Sequence, residues 1–318
     1  MRFAEIASGA GGLGIGLQRA GFSFGGAWDV DPAAVETYKA NVSRCAAVLD
    51  VSDLTVKRDE YDLLVSGLPC ESFSTLGMMD SSDLRGRLWY HFVRNLEIGR
   101  PLAFLIENVP TFLGTFRFKL LVGRTQSLGY STSWAILDAR SFGVAQERRR
   151  VFVLGSLNGL VEMEPNGHSP FSTVRDAIGD LPIKPDERND HIGYSHRAKS
   201  VERYQLVPPG GDWRDLPKSM MNPCWRKLKT AARGVLGRLR WDAPANTIRT
   251  TFIKPETGRY IHPEADRGLT IREGARLQGF DDDFRFPCGG LQTKARLIGR
   301  AVPPPMAEGL GRLLREVM

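Results

Sequence analysis

The feature that most constrains the fold is a glycine-rich loop between an apolar segment and a helix-forming segment near the start of the chain. The loop reads Gly9-Ala10-Gly11-Gly12-Leu13-Gly14, a G-x-G-x-x-G pattern that follows a strand predicted over 3–7 and precedes a helix predicted over 13–20. Glycines here let the backbone approach a ligand closely, and the N-terminus of the next helix favours an anion. The pattern is typical of nucleotide-binding α/β domains.

Strand and helix predictions alternate through the first 155 residues. Four later apolar segments, at 24–29, 62–66, 102–107 and 151–154, read as strands without polar alternation, and Pro32 suits the first turn of a helix. Strands of this kind belong to parallel sheets that are covered on both faces. We therefore predict an α/β fold with a doubly wound, mostly parallel, Rossmann-like sheet.

The character of the sequence changes after Gly155. Proline, glycine, arginine and tryptophan accumulate there, and helical periodicity fades until the last thirty residues. We therefore expect a first domain over 1–155 that is completed by 289–318, and a smaller, irregular domain over 156–288.

Composition excludes several classes of protein. Of the 318 residues, 42% are hydrophobic and 25% charged, which is ordinary for a globular enzyme. No apolar run approaches the roughly 20 residues that cross a bilayer, and the glycine-broken N-terminus is unlike a signal peptide. The four cysteines lack C-x-x-C spacing, which argues against a disulfide framework or a zinc site. We expect a cytoplasmic protein with no metal and no membrane partner.

Positive charge is concentrated in one segment. Residues 191–250 hold 12 Lys and Arg against 4 Asp and Glu, while the whole chain carries +7. A concentrated basic segment indicates a polyanion partner, because neutralising phosphates gives affinity without specific contacts. A solvated basic face explains the charge equally well.

Two acidic residues follow the loop at spacings that suit a nucleoside ligand. Asp29 stands 20 residues after Gly9, where a carboxylate commonly holds ribose hydroxyls. Asp50, after the apolar run 46–49, is placed to take an adenine amino group. The pattern fits a dinucleotide and S-adenosylmethionine alike, and a tight strand–helix turn without any ligand also remains open.

Four further residues carry candidate chemistry at strand ends. Cys70 follows the strand at 62–66, where a lowered pKa would make it a nucleophile, although an inert buried cysteine is the plain alternative. Glu107 ends the next apolar strand, and an apolar pocket there would raise its pKa and let it donate a proton. Strand alternation places Arg148 and Arg150 on one face, as an anion clamp or as a solvated turn.

Taken together, these segments resemble the C5-cytosine DNA methyltransferase family. They occur in the family's order: the loop 8–12, Pro69-Cys70, Glu107-Asn108-Val109, Gln146-x-Arg148-x-Arg150, and the late blocks 269–280 and 298–302. The resemblance implies S-adenosylmethionine as cofactor and duplex DNA as substrate for a monomeric enzyme, with a cognate restriction endonuclease as a possible partner. The residues that it implies for the cofactor site are Ser8, Gly9, Ala10, Gly11, Gly12, Asp29, Asp50, Val51, Pro69, Arg300 and Ala301.

The resemblance also implies a mechanism. A cytosine leaves the base stack, Cys70 adds to C6, Glu107 holds N3, Arg148 and Arg150 orient the base, and C5 receives the one-carbon group. The segment 156–288 would then be the target-recognition domain. Its candidate DNA contacts are Arg197, Lys199, Arg203, Arg214, Arg226, Lys227 and Lys229. We expect Trp213, Trp225 and Trp241 to pack in its core rather than stack on bases.

Three positions depart from the family pattern. Ala7 replaces an aromatic residue, Glu71 replaces the Gln after the cysteine, and Arg300 replaces the Asn of a late Gly-Asn pair. A guanidinium near a sulfonium repels it. Glu71 could neutralise Arg300, or Arg300 could bind a donor carboxylate, in which case carboxy-S-adenosylmethionine would yield 5-carboxymethylcytosine.

Other functions fit part of the sequence. The glycine loop alone would serve a nicotinamide or flavin oxidoreductase, although the cysteine, Glu-Asn-Val and arginine segments would then have no role. An inactive DNA-binding regulator conflicts with Cys70 and Glu107 being in place. A tRNA substrate is a further alternative, and the recognition sequence cannot be read from the chain.

Overall fold

A computed structural model describes residues 1–67, 88–163, 171–223, 225 and 234–318. The chain divides into two compact units. The first comprises Met1–Phe142, Arg149–Ser169 and Ala301–Met318, and the second Gly143–Arg148 and Pro170–Arg300.

A seven-stranded sheet forms the centre of the first unit. Its strands are β1 (Arg2–Ile6), β2 (Ser23–Asp29), β3 (Ala47–Val48), β4 (Leu63–Gly67), β5 (Ala103–Asn108), β6 (Ser131–Asp138) and β8 (Arg149–Ser156). They lie in the order β3-β2-β1-β4-β5-β8-β6, and only β8 runs antiparallel to its neighbours. The predicted α/β fold with a large, mostly parallel sheet is confirmed.

In the described part of this unit there are five α-helices: α1 (Gly12–Arg19), α2 (Pro32–Asn41), α3 (Leu88–Gly99), α4 (Phe116–Ser127) and α9 (Pro304–Val317). Helix α2 begins where the sequence predicts, because the Asp31 side chain caps the Ala33 amide and Pro32 occupies the first turn. Helix α1 packs closely on α9: a Cβ added at Gly16 would collide with Ala307 Cβ and lie 2.6 Å from the Pro304 carbonyl oxygen.

The second unit is built from short elements. These are β7 (Gln146–Glu147), α5 (Val174–Ile178), α6 (Ala198–Gln205), β9 (Gly237–Arg238), β10 (Ala245–Asn246), β11 (Arg259–Ile261), α7 (Ile271–Leu277) and α8 (Leu291–Arg300). Strand β7 pairs with β10, and β9 pairs with β11. A small apolar core includes Tyr204, Trp225 and Ile261, with Trp213 packed against it. The expected core role of these two tryptophans agrees with the structure, whereas Trp241 packs edge-on against His262.

Buried arginines connect the irregular segments of this unit. Arg238 is 4% exposed, donates to the carbonyls of Tyr204, Val207, His262 and Ala265, and pairs with Asp266. One guanidinium has five N–H donors in a plane, so it can satisfy several loop carbonyls that no strand partner reaches. Part of the basic segment therefore stabilises the unit internally.

The expected domain boundaries differ from those of the compact units. The sequence places α8 in the first domain, but the helix packs with α7 inside the second unit. Strand β8 runs on to Ser156, so the first unit extends beyond 155. Within the described ranges, no helix combines the length and apolar character that a bilayer crossing needs.

Candidate active site

The glycine loop leaves β1 in a left-handed turn. Ala7, Gly9 and Gly11 have φ values of 54°, 55° and 94°, and the Gly11 amide donates to the Ser8 carbonyl at 3.2 Å before α1 begins. Left-handed backbone is uncommon for alanine, so Ala7 is a strained position at the start of the loop. A Cβ added at Gly9 would meet no atom of the described residues within 4 Å. The loop is thus open at Gly9 and can admit a ligand close to its backbone.

Asp29 ties this loop to the end of β2. The Gly9 amide donates to Asp29 Oδ2 at 2.8 Å, and the Asp31 amide donates to Oδ1 at 2.9 Å. The Ser8 amide donates to the Trp28 carbonyl, yet the buried Ser8 Oγ has no hydrogen-bond partner in the described structure. An unpartnered buried hydroxyl beside a carboxylate and a helix N-terminus fits a polar ligand group. Ser8 and Gly9 thus lie close to Asp29, with Ala10 and Gly12 buried in the same loop, and the use of this loop for a cofactor stays a prediction.

Asp50 and Val51 lie in a turn after β3. Asp50 is exposed, and its Oδ1 accepts the Ser52 amide at 2.8 Å, which lowers the pKa of Asp50 below its usual value. Val51 is buried, and its carbonyl accepts a hydrogen bond from Arg94. The Asp50 carboxylate is therefore ionised and open to solvent, as an acceptor for an amino group must be.

Glu107 and Arg150 form an ion pair at the ends of adjacent strands. Arg150 Nε lies 2.9 Å from Glu107 Oε1, and the two side chains are 16% and 9% exposed, Arg150 being the more exposed. The prediction placed Glu107 in an apolar pocket, whereas the structure gives it a cationic neighbour. Glu107 also stands opposite Gly67, the last residue of β4, three residues before Cys70 in the sequence.

Arg148 does not join Arg150. It is 1% exposed and donates to the backbone carbonyls of Ile248 and Gly299, both within the second unit. The predicted common face fails because β8 begins only at Arg149, so strand alternation does not extend to Arg148. Gln146 is fully buried beside it and bonds the Ile248 amide and the Leu277 carbonyl. Arg148 and Gln146 thus order the interior of this unit.

The four predicted DNA contacts that the structure describes divide into three groups. Arg197 and Lys199 are exposed at the start of α6. Arg203 is only 9% exposed, because its guanidinium donates to the Met220 carbonyl and Asn222 and lies over the Trp225 ring, which contradicts a role in contacting DNA. Arg214 is exposed but held by two bonds to Asp212.

Several predicted residues lie outside the described residues: Pro69, Cys70, Glu71, Arg226, Lys227 and Lys229. Arg300, the last residue of α8, is exposed, and Ala301 is buried in the first unit. Cys45 is exposed and does not belong to the core. Among the described residues, no group of His, Cys, Asp or Glu is arranged to hold a metal ion.

A polar cleft in the second unit is not predicted from the sequence. It measures about 300 Å³ and is lined by Thr250, Thr251, Ile253, Lys254, Gln292, Thr293 and Arg296. Hydroxyl, amide and cationic groups in one cleft suit phosphate oxygens. The lining residues come from two segments about 40 positions apart, so the sequence does not show that they share a cleft. The pair Thr250-Thr251 shortly before Lys254 is the part of the lining that a sequence pattern could indicate.

Comparisons with known proteins cover nearly the whole chain and agree with one another. A family model described as C-5 cytosine-specific DNA methylase matches residues 1–316. The chain is 33% identical to the Type II methyltransferase M.Sau96I of Staphylococcus aureus, over 98% of the chain and 74% of that protein. It is 32% identical to the Type II methyltransferase M.Eco47II of Escherichia coli, over 97% and 77% of the two chains.

Solved structures show the same similarity. A putative DNA modification methyltransferase encoded within an E. coli prophage matches with a TM-score of 0.76 and 25% identity, over 100% of this chain and 99% of that one. The Entamoeba histolytica methyltransferase EhMeth matches with a TM-score of 0.74 at 17% identity, over 100% and 99%, which shows a shared fold.

Proposed function

The chain belongs to the C-5 cytosine-specific DNA methylase family, and on that premise we propose that it transfers a methyl group from S-adenosylmethionine to C5 of a cytosine in duplex DNA. The observation that carries the proposal is the Glu107–Arg150 pair at strand ends, in register with the end of the strand that precedes Pro69-Cys70. This pair is charged and largely buried.

Cys70 supplies the nucleophile in this proposal. Its thiolate adds to C6 of an extruded cytosine, and the electron density shifts towards N3, where Glu107 provides a hydrogen bond. Arg150 holds the Glu107 carboxyl in place and offers guanidinium donors to the base. Transfer of the methyl group to C5 would leave the donor sulfur as a neutral thioether. Loss of the C5 proton to water, with release of the thiolate, then restores the aromatic ring.

The cofactor would be held by groups of the first unit. Ser8 Oγ, the Gly9 segment and the α1 N-terminus would contact its polar end, Asp29 its ribose hydroxyls, and Asp50 its adenine amino group. When bound, the cofactor supplies a methyl group on a sulfonium, which is electrophilic without help from a metal. The protein's task is to hold it and to exclude water.

DNA binding would come from cationic groups of the second unit that are exposed or partly exposed. Arg197 and Lys199 at the start of α6, together with Lys254 and Arg296 of the polar cleft, are cationic groups suited to phosphates. Arg226, Lys227 and Lys229 keep their predicted role. Replacing any one of the phosphate-binding cations with a neutral residue should reduce the salt dependence of DNA binding.

Nucleoside mass spectrometry tests the proposal. DNA is incubated with purified protein and S-adenosylmethionine, digested and analysed for 5-methylcytosine. We expect product from the natural protein and none from Cys70→Ser, while Cys45→Ser, which alters an exposed cysteine, retains activity. DNA containing 5-fluorocytosine should trap a covalent adduct with the natural protein and with Cys45→Ser, but not with Cys70→Ser. Full methylation by Cys70→Ser would refute the mechanism, and no modified cytosine under any condition would refute the activity.

A carboxylated donor is a second candidate, and the substitution at Arg300 favours it. An exposed guanidinium at the end of α8 replaces the family's neutral amide, and it could bind a carboxylate on the transferred carbon in a two-bond arrangement. Supplying both donors and weighing the product nucleosides distinguishes methyl from carboxymethyl transfer. If only a methyl group is added, and Arg300→Asn leaves donor choice unchanged, the carboxymethyl candidate is wrong.

A further inference from the structure

A carboxyl group is buried beneath the cofactor loop, and the proposed mechanism does not use it. Glu5 of β1 is 2% exposed. Tyr38 Oη donates to its Oε2 at 2.9 Å, and the Gly14 amide of α1 also hydrogen-bonds the carboxyl group. Both partners are neutral, so the group has hydrogen bonds but no counter-ion among them.

Glu5, Tyr38 and the loop glycines pack as one cluster. A Cβ at Gly14 would collide with Tyr38 Oη and lie 2.8 Å from Glu5 Oε2. A Cβ at Gly11 would lie 3.0 Å from Tyr38 Cδ2. The Tyr38 side chain therefore lies directly under both ends of the loop–helix junction, and Glu5 sets the position of its hydroxyl. Any shift of the Glu5 carboxyl is transmitted to the backbone proposed to contact the ligand.

The groups that face Glu5 act in opposite directions on a negative charge there, since Asp29 disfavours it and the two hydrogen-bond donors favour it. They are Tyr38 on α2, the Gly14 amide on α1 and Asp29 at the end of β2. Burial is the largest effect and raises the pKa of Glu5 to about 8, with the Asp29 charge adding to it and the Tyr38 hydrogen bond opposing it. The Tyr38 hydroxyl stays protonated and keeps donating its hydrogen bond, because burial raises its own pKa well above the usual value.

We infer that Glu5 is a positioning residue that holds the cofactor loop in its binding geometry only while it is a neutral carboxylic acid. Ionised, it would place an uncompensated buried charge near Asp29, whose Oδ2 holds the Gly9 amide. The inference rests on the proposed use of this loop for an S-adenosyl ligand. One buried proton then controls cofactor affinity in the mildly alkaline range.

Calorimetric titration of the full-length protein tests the inference without any turnover. Dissociation constants for S-adenosylmethionine and S-adenosylhomocysteine are measured from about pH 6.5 to about pH 9.5, and affinity for both should fall by up to about tenfold per pH unit above pH 8. Because the ligand's amino group also titrates near this range, natural protein and variants are compared at each pH. Glu5→Gln should remove the part of the loss of affinity that comes from the protein and leave the part that comes from the ligand's amino group.

Tyr38→Phe gives an independent test. It removes the hydrogen bond that favours the ionised carboxyl, so the fall in affinity should move to higher pH. A role in packing alone would lower affinity equally at every pH. Direct attraction between an ionised Glu5 and the sulfonium would instead strengthen S-adenosylmethionine binding as pH rises, with no such effect for the neutral-sulfur ligand, and that result would overturn the inference.

The outcomes separate this inference from the proposed function. Binding of both ligands with the same pH profile in natural protein and Glu5→Gln would overturn the role of Glu5 and leave the cofactor assignment intact. Absence of binding at every pH would overturn both. Melting curves of each variant, recorded in the same buffers, identify any loss of affinity that comes from unfolding.

Discussion

Replacing Glu5 with glutamine should make the protein more stable at neutral and alkaline pH, although it removes a buried hydrogen-bonded acid. Glutamine has nearly the same shape and can still accept the Tyr38 hydroxyl proton. What it lacks is a proton that can be lost. The comparison therefore isolates the cost of keeping Glu5 protonated in the folded state.

The magnitude follows from the two pKa values. The pKa of Glu5 is about 8 in the folded protein against an ordinary value of 4.5, so the folded state holds a proton that the unfolded chain releases. The stability due to this proton is complete below pH 4.5 and is lost as pH rises through 8. At about 1.4 kcal/mol per unit, the loss amounts to roughly 5 kcal/mol across that window.

Urea denaturation followed by tryptophan fluorescence measures the effect. Unfolding free energies of natural protein and Glu5→Gln are compared at a series of pH values, and the difference should move in favour of the variant by several kcal/mol between about pH 5 and about pH 8.5. Glu36→Gln, at an exposed position on α2, is the matched control and should give a flat difference. A flat difference for Glu5→Gln as well would refute the reasoning.

Three further predictions concern packing and the site. Gly16→Ala should lower the free energy of unfolding by about 2 kcal/mol, because the new methyl group meets α9. Gly123→Ala in α4 has open space around the new methyl group and should not lower the melting temperature. Equal effects of the two substitutions would contradict this account. Arg150→Lys should lower kcat roughly 100-fold with little change in melting temperature, because Arg150 pairs with Glu107. Arg148→Lys should mainly lower the melting temperature, because Arg148 bonds buried carbonyls. The reverse pattern would make Arg148 the residue that acts in the reaction and Arg150 the one that stabilises the fold. Asp29→Asn should raise the Kd of the cofactor roughly tenfold by calorimetry, because only one of its two amide partners keeps an acceptor, and an unchanged Kd would remove Asp29 from the site.

Patterns confined to a few neighbouring residues were sufficient to predict many of the strands and helices of the first unit. Helix α2 starts at Pro32 as predicted, and five apolar segments appear as strands within two residues of their expected ends. Strand β6 has no such signal, because an edge strand mixes polar and apolar residues, with Trp134 half exposed, and so lacks the apolar run of a central strand.

The sequence could not show which arginines are buried in the fold and which are available to a substrate. Arg148 and Arg203 read as cations available to substrate, yet both are buried and bonded to carbonyls from distant segments, as is Arg238 of the basic segment. A guanidinium is buried only where the fold brings several acceptors around it, and neither composition nor spacing contains that information. Arg150, in contrast, meets Glu107 because two strands lie side by side in the sheet.

The sequence by itself determined the family, the sheet-based fold and the order of the segments proposed for chemistry, because these depend on residue types at short spacings along the chain. Only the tertiary structure decided which charges face one another, that Arg148 belongs to an interior and Arg150 to Glu107, and that Glu5 is sealed under the loop beside Tyr38. Electrostatic effects depend on distance and on exclusion of water, and both arise only when remote segments pack together.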